Sequence, residues 1–173
     1  MPRSHGARTR EAGDRITTEI DMRLTRFHRL QLVVLLVLGC AISGPARADD
    51  TPATLKGAAL VGAQDVVKLQ SAGAILIDSR IASEYSEGHI KGAINVPYRE
   101  KSAKDKSFDA SQDEWSLDKL PADKGASIVI YCNGPECWKS YKSSVAAIKA
   151  GYSNIHWFRD GFPAWKAAGL AVE

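Results

Sequence analysis

Four short apolar runs, each followed by a stretch of different periodicity, constrain this chain more than any other feature. They lie at residues 74–77, 93–96, 127–131 and 154–158. Each has strand length, and the unbroken runs at 74–77 and 127–131 suit strands buried on both faces. Between and around them lie helical patterns. Residues 63–72 carry Val66, Val67 and Leu69, with Gly73 placed to end the helix. Ser83 is placed to cap a short helix over 84–87, and Ser111-x-x-Glu114 has capping-box spacing for a helix over 112–120. Residues 139–150 place Tyr141, Val145 and Ile148 on one face, and 162–168 reads as a last short helix. Residues 99–110 are rich in charge and read as a solvated loop. Alternating strands and helices predict an α/β fold: a central parallel sheet with helices on both faces. In such folds, functional residues lie beyond the carboxyl ends of the strands.

The first 48 residues have a different character. Arg23, Arg26 and Arg29 precede a nearly unbroken apolar run at 30–42. Ser43-Gly44-Pro45 breaks that run, and Ala46-Arg47-Ala48 follows as a small-x-small site. This order predicts a signal peptide over 1–48, with Met22 as the start and export to the periplasm. Val37-Leu38-Gly39-Cys40 offers an alternative, a lipidation site at Cys40 that would tether the domain to a membrane. Residues 49–57 then read as a flexible N-terminus and 58–173 as one domain. Residues 1–48 hold 8 of the chain's 23 basic side chains and 4 of its 20 acidic ones. The remainder carries 15 against 16, a net charge of −1. That balance gives no support for a nucleic-acid partner.

Beyond the leader only Cys132 and Cys137 remain. Cys132 follows the apolar run 127–131 directly and opens the segment Asn133, Gly134, Pro135, Glu136, Cys137, Trp138, Lys139, Ser140. A thiol between a buried strand and a helix N-terminus faces converging backbone N–H groups. These favour a thiolate and should lower its pKa below the usual ~8.5. A disulfide within so short a loop would close few residues and add little stability, so a structural staple is a weak explanation for the pair. Two cysteines without a nearby histidine also make a poor metal site.

Three stretches together carry a family resemblance. Ile77-Asp78-Ser79-Arg80, Glu84-Tyr85 and Gly88-His89-Ile90-Lys91-Gly92-Ala93-Ile94-Asn95-Val96-Pro97 look like the first signature of the rhodanese family. Arg159-Asp160-Gly161-Phe162-Pro163-Ala164-Trp165 resembles the signature near its C-terminus. Between them the strand–Cys–loop–helix segment resembles the family's active-site segment. The resemblance covers about residues 60–172 and implies a sulfurtransferase without organic cofactor or metal. In that family the loop cysteine, here Cys132, takes sulfane sulfur from a donor such as thiosulfate. It holds the sulfur as a persulfide and passes it to a thiol or cyanide-like acceptor.

The residues agree with that chemistry. A small sulfur-containing anion needs a positive site, which the loop amides, Lys139 and Lys142 can provide, with Asn133 as a further donor. Two departures stand out. Cys132 to Lys139 spans eight residues where single-domain relatives have six, and the loop ends in Lys, which cannot form the planar fork of a phosphate-binding Arg. Pro135 also removes a backbone donor, and Glu136 brings a negative charge. The second departure is Cys137. It has three open roles: resolving a Cys132 persulfide, accepting its sulfur, or cycling with Cys132 as a thiol–disulfide pair. The alternatives to a sulfurtransferase are thus a redox protein, or a binding module that presents the loop to an exported redox or sulfur-carrier protein. Asp78 and Arg80 read as a loop-holding ion pair, and His89 as a turn-packing residue. His156 reads as solvent- or interface-facing, and Trp157 and Trp165 as core aromatics. Trp138 suits either a pocket wall or a partner surface.

Overall fold

The computed structural model describes residues 50–173; the expected signal peptide, its Ala48 cleavage site and Cys40 lie outside them. Five parallel strands form one sheet in the order β1-β5-β4-β2-β3. They are β1 (Ala58–Leu60), β2 (Ile75–Asp78), β3 (Ile94–Asn95), β4 (Ile128–Tyr131) and β5 (Ile155–Phe158). The helices are α1 (Ala63–Ser71), α2 (Ala82–Glu87), α3 (Trp138–Lys149) and α4 (Gly161–Ala167).

The central strands are apolar along their whole length because both faces are covered. All four residues of β4 are 0% exposed. Alternation then sends Leu76, Val129 and Tyr131 to one face, where they meet Val66 of α1 and Phe162 and Trp165 of α4. Ile77, Ile128 and Ile130 go to the other face, where they meet Ala147 of α3. Each fully buried aliphatic side chain contributes about 1.5–3 kcal/mol.

Register decides where the strands end. Asp78 pairs with Tyr131, and Tyr131 with Phe158. The last residues of β2, β4 and β5 therefore lie in one row across the sheet. The segments that leave them, beginning at Ser79, Cys132 and Arg159, emerge side by side.

Two local expectations are corrected. The helix expected over 112–120 is two single 3₁₀ turns, Ala110–Gln112 and Leu117–Lys119. Contacts distant in sequence outcompete the capping box. The Asp109 side chain, not Ser111, caps the first turn, accepting from the Ser111 N–H. Glu114 turns instead to Lys101 and Arg99. Its backbone also exchanges two hydrogen bonds with that of Arg99. The second correction concerns α2. It begins at Ala82, and Glu84 accepts from the Ile81 N–H, so Ser83 is not its cap. Within the N-terminal segment, Thr51 is buried and hydrogen-bonded at both its backbone and its hydroxyl. The edge strand β1 was not expected, although Ala58-Ala59-Leu60-Val61 is an unbroken apolar run; in the fold Leu60 is half exposed.

Candidate active site

Cys132 leaves the carboxyl end of β4 fully buried, and five residues later Cys137 forms the N-cap of α3. Their sulfurs are joined in a disulfide with the Cα atoms 6.3 Å apart. The loop turns at Gly134, whose carbonyl accepts from the Cys137 N–H at 3.0 Å. Asn133 and Glu136 are exposed, Pro135, Cys137 and Lys139 partly so, and Gly134 and Trp138 are buried.

Three neighbours hold this loop. The first is the turn after β5. The Phe162 N–H donates to the Cys132 carbonyl at 2.8 Å. Gly161, at φ +60°, lies so close that a Cβ there would stand 2.2 Å from the same oxygen. Only a residue without a side chain permits that approach in that conformation. The second is the N-terminal segment. Thr51 donates to the Pro135 carbonyl from its N–H at 2.8 Å and from its hydroxyl at 2.7 Å. Arg159 in turn donates to the Thr51 hydroxyl at 3.0 Å and to its carbonyl at 2.7 Å. The third is α2, where Glu84 accepts from the Asn133 amide at 2.5 Å. One of the two amide hydrogens of Asn133 is therefore committed to a carboxylate.

Behind the loop lies a buried polar layer. Arg80 binds Asp78 with two donors, at 3.0 and 2.6 Å to Oδ2, and also donates to the Gly88 carbonyl. Its guanidinium sits 4.2 Å from the Phe162 ring centroid. Burial opposes the Arg80 charge most strongly, but the Asp78 hydrogen bond and the nearby negative charges, Asp78 first, together outweigh it and raise the pKa. Asp78 and Arg80 thus form the loop-holding pair that their position suggested. The Tyr131 hydroxyl accepts from the Ile90 N–H, and burial pushes its pKa upward. His89 stacks on Tyr85 with ring centroids 3.6 Å apart and packs the turn as expected. His156 is half-buried, and desolvation lowers its pKa.

On α3 the expected anion ligands separate. Lys139, at the start of the helix, stays partly exposed. Lys142 is 0% exposed and does not reach the loop mouth, which corrects its expected role. Its ammonium donates to the Ser102 hydroxyl and carbonyl, lies 2.8 Å from Glu100, and lies 3.7 Å from Asp113. The contact with Glu100 is an ion pair without hydrogen-bond alignment, since Glu100 Oε1 has no hydrogen-bond partner. Ser140 is buried too, and its hydroxyl accepts from the Trp157 indole at 3.1 Å. The Trp138 ring meets Tyr141 edge-on at 5.3 Å, and Tyr141 meets Trp157 at 5.6 Å. Trp138 therefore packs in one buried cluster with Tyr141 and Trp157, whereas Trp165 packs with Tyr131 and Phe162 on α4's side of the sheet. Sequence reasoning missed Thr51 and the fastening role of Gly161. The one available signal was Arg159-Asp160-Gly161 directly after a strand and before a helix.

Among the described residues, no group of three or more His, Cys, Asp or Glu side chains could hold a metal. The arrangement is a pair of vicinal thiols, one buried and one at a helix start, in a loop fastened at both ends. Oxidised, it can accept two electrons; reduced, it presents a nucleophile where strand, loop amides and helix N-terminus converge.

Relatives share this frame. The rhodanese-like domain family matches residues 62–168. A thiosulfate sulfurtransferase of Arabidopsis thaliana, chloroplastic, is 30% identical over 102 residues, covering 59% of this chain and 82% of its own length. An HTH-type transcriptional regulator of Mycobacterium tuberculosis is 32% identical over 110 residues, covering 63% of this chain; the chain spans only 42% of that regulator. The crystal structure of the Alr3790 protein from Anabaena has a TM-score of 0.50 at 22% identity, covering 65% of this chain and 79% of its own. Thiosulfate sulfurtransferase from Pseudomonas aeruginosa also gives a TM-score of 0.50, at 22% identity, over 67% of this chain and 20% of its own. These two structures share the fold. The five-stranded parallel sheet, the cysteine loop between β4 and α3 and the match over 62–168 agree, and the chain belongs to the rhodanese-like family.

Proposed function

We propose that this domain is a sulfurtransferase that carries sulfane sulfur on Cys132. The observation that supports this most is the position of Cys132, at the carboxyl end of the central strand and ahead of the 12-residue helix α3. In the reduced protein, the Cys132 thiolate attacks the outer sulfur of thiosulfate. The S–S bond of the donor breaks, sulfite leaves with the bonding pair, and a persulfide remains on Cys132. Loop N–H groups and the start of α3 favour both the thiolate and the persulfide anion. A thiol or cyanide-like acceptor then takes the outer sulfur. The Cys132–Cys137 disulfide is the resting oxidised form and must be reduced before the first step.

The test is sulfite release by the reduced protein in the absence of any acceptor. One sulfite per chain, lost in Cys132→Ser, is the expected result. No sulfite from the wild type with thiosulfate, together with no mass gain of one sulfur from any other sulfane donor, overturns the reading.

The disulfide itself favours a second reading, thiol–disulfide exchange without sulfur transfer. Equal loss of exchange in Cys132→Ser and Cys137→Ser, without any sulfur uptake, would support it. The basic-then-apolar leader favours export of the domain. The intact mass of the chain recovered from cells separates cleavage after Ala48 from lipidation at Cys40.

A further inference from the structure

We infer that Cys137 is the resolving thiol of Cys132, so that the domain discharges its sulfur as sulfide and is reset by a partner dithiol entering at Cys137. The inference rests on the sulfur-carrier reading above and specifies the fate of the carried sulfur.

Three observations carry it. The two sulfurs lie within bonding reach in the folded loop, whose ends are fixed by β4 and α3. An intramolecular thiol so placed outcompetes a dissolved one, because the entropy of encounter is already spent. The loop is also fastened from outside, at the Cys132 carbonyl by Phe162 and at the Pro135 carbonyl by Thr51, which holds the two cysteines in that relation. Finally, the pair is asymmetric. With the bridge formed, Cys132 is 0% exposed, whereas Cys137 remains partly exposed.

The chemistry follows from this geometry. After sulfite has left, the Cys137 thiol gives up its proton and attacks Cys132 Sγ. The bond from Sγ to the terminal sulfur breaks, and that sulfur leaves with the bonding pair as hydrosulfide. The two cysteine sulfurs are oxidised to a disulfide, and the sulfane sulfur is reduced to sulfide. A partner thiolate then attacks the disulfide at Cys137, the more exposed residue of the pair. Cys132 leaves as a thiolate into the site whose loop amides favour that charge. The partner's second thiol closes the partner disulfide and restores both cysteines. In sum, thiosulfate and two thiols give sulfite, sulfide and one disulfide.

Fully reduced protein is mixed anaerobically with thiosulfate, without added thiol, and sulfite, sulfide and intact mass are followed through one turnover. The expected wild-type result is one sulfite and one sulfide per chain, with a product two hydrogens lighter. Cys137→Ser should release sulfite, hold a mass gain of one sulfur and yield no sulfide. Wild type that keeps the added sulfur while Cys137 remains open to alkylation overturns the resolving role but leaves the carrier reading intact. A disulfide formed without sulfite or sulfide overturns both.

The entry point is tested separately. Oxidised wild type is treated with glutathione as probe thiol, quenched in acid and mapped by peptide. The tripeptide should be found on Cys137; recovery on Cys132 overturns that assignment.

Discussion

Gly161→Ala tests how the loop is held. Gly161 has φ +60°, and an added Cβ would stand 2.2 Å from the Cys132 carbonyl oxygen and 2.9 Å from the Gly134 nitrogen. Left-handed backbone alone costs alanine about 1–2 kcal/mol. Normal contact begins near ~3.5 Å, so one backbone must retreat by roughly 1 Å. The hydrogen bond from Phe162 to Cys132, 2.8 Å long, does not survive that shift. A buried acceptor left unpaired costs about 1–3 kcal/mol more. The expected total is about 2–5 kcal/mol, read as a lowered midpoint in urea with an unchanged m-value. Gly169→Ala is the internal control. Its φ is +67°, with nothing within 4 Å of the added Cβ, so it carries the conformational cost alone. Gly161→Ala should also slow sulfite release, because the Cys132 backbone is displaced. If the two variants cost the same within ~0.5 kcal/mol, the claim that Gly161 fastens the loop fails.

The polar cluster behind α3 yields two further predictions. Lys142→Met leaves Glu100 and Asp113 facing each other without a cation, and should lower unfolding stability by about 3–5 kcal/mol; a loss under ~1 kcal/mol in urea unfolding would show that the cluster does not anchor residues 99–115. Burial resists ionisation of Asp113, but hydrogen bonds from Ser102, Lys101 and Tyr98 prevail and hold its pKa at about 2, below the ordinary 3.8. A depressed carboxylate stabilises the fold above its unfolded pKa and loses that contribution as pH falls through the folded one. Acid titration should therefore remove about 2 kcal/mol between pH ~4 and ~2, and this part of the acid limb should vanish in Asp113→Asn. Thr51→Val removes the hydroxyl that bridges Pro135 and Arg159, and should cost about 1–2 kcal/mol in thermal or urea unfolding; no change would mean that the Thr51 backbone bonds suffice.

The sequence alone determined four of the five strands and the place of Cys132. Runs such as 127–131 are apolar throughout because a parallel strand is covered on both faces, and that signature is local. Cys132 follows such a run and precedes a helical period, so its position at a strand end was legible. Asp78, Arg80, His89, Trp157 and Trp165 were likewise read correctly, because their roles follow from where they sit on strands and turns. The sequence could show that Cys137 lies close in the chain, but not which thiol the folded loop leaves accessible.

What the tertiary structure decided depends on contacts between residues far apart in the chain. Thr51 reaches Pro135 across 84 positions and Arg159 across 108, and no local pattern encodes such a pairing. Lys142 reads as a candidate anion ligand until Ser102, 40 positions away, folds over it. The Ser111 capping box fails for the same reason, since Glu114 and Asp113 find stronger partners in Lys101, Ser102 and Tyr98. Local propensities amount to about 1 kcal/mol per residue, and a satisfied network of charges overrides them.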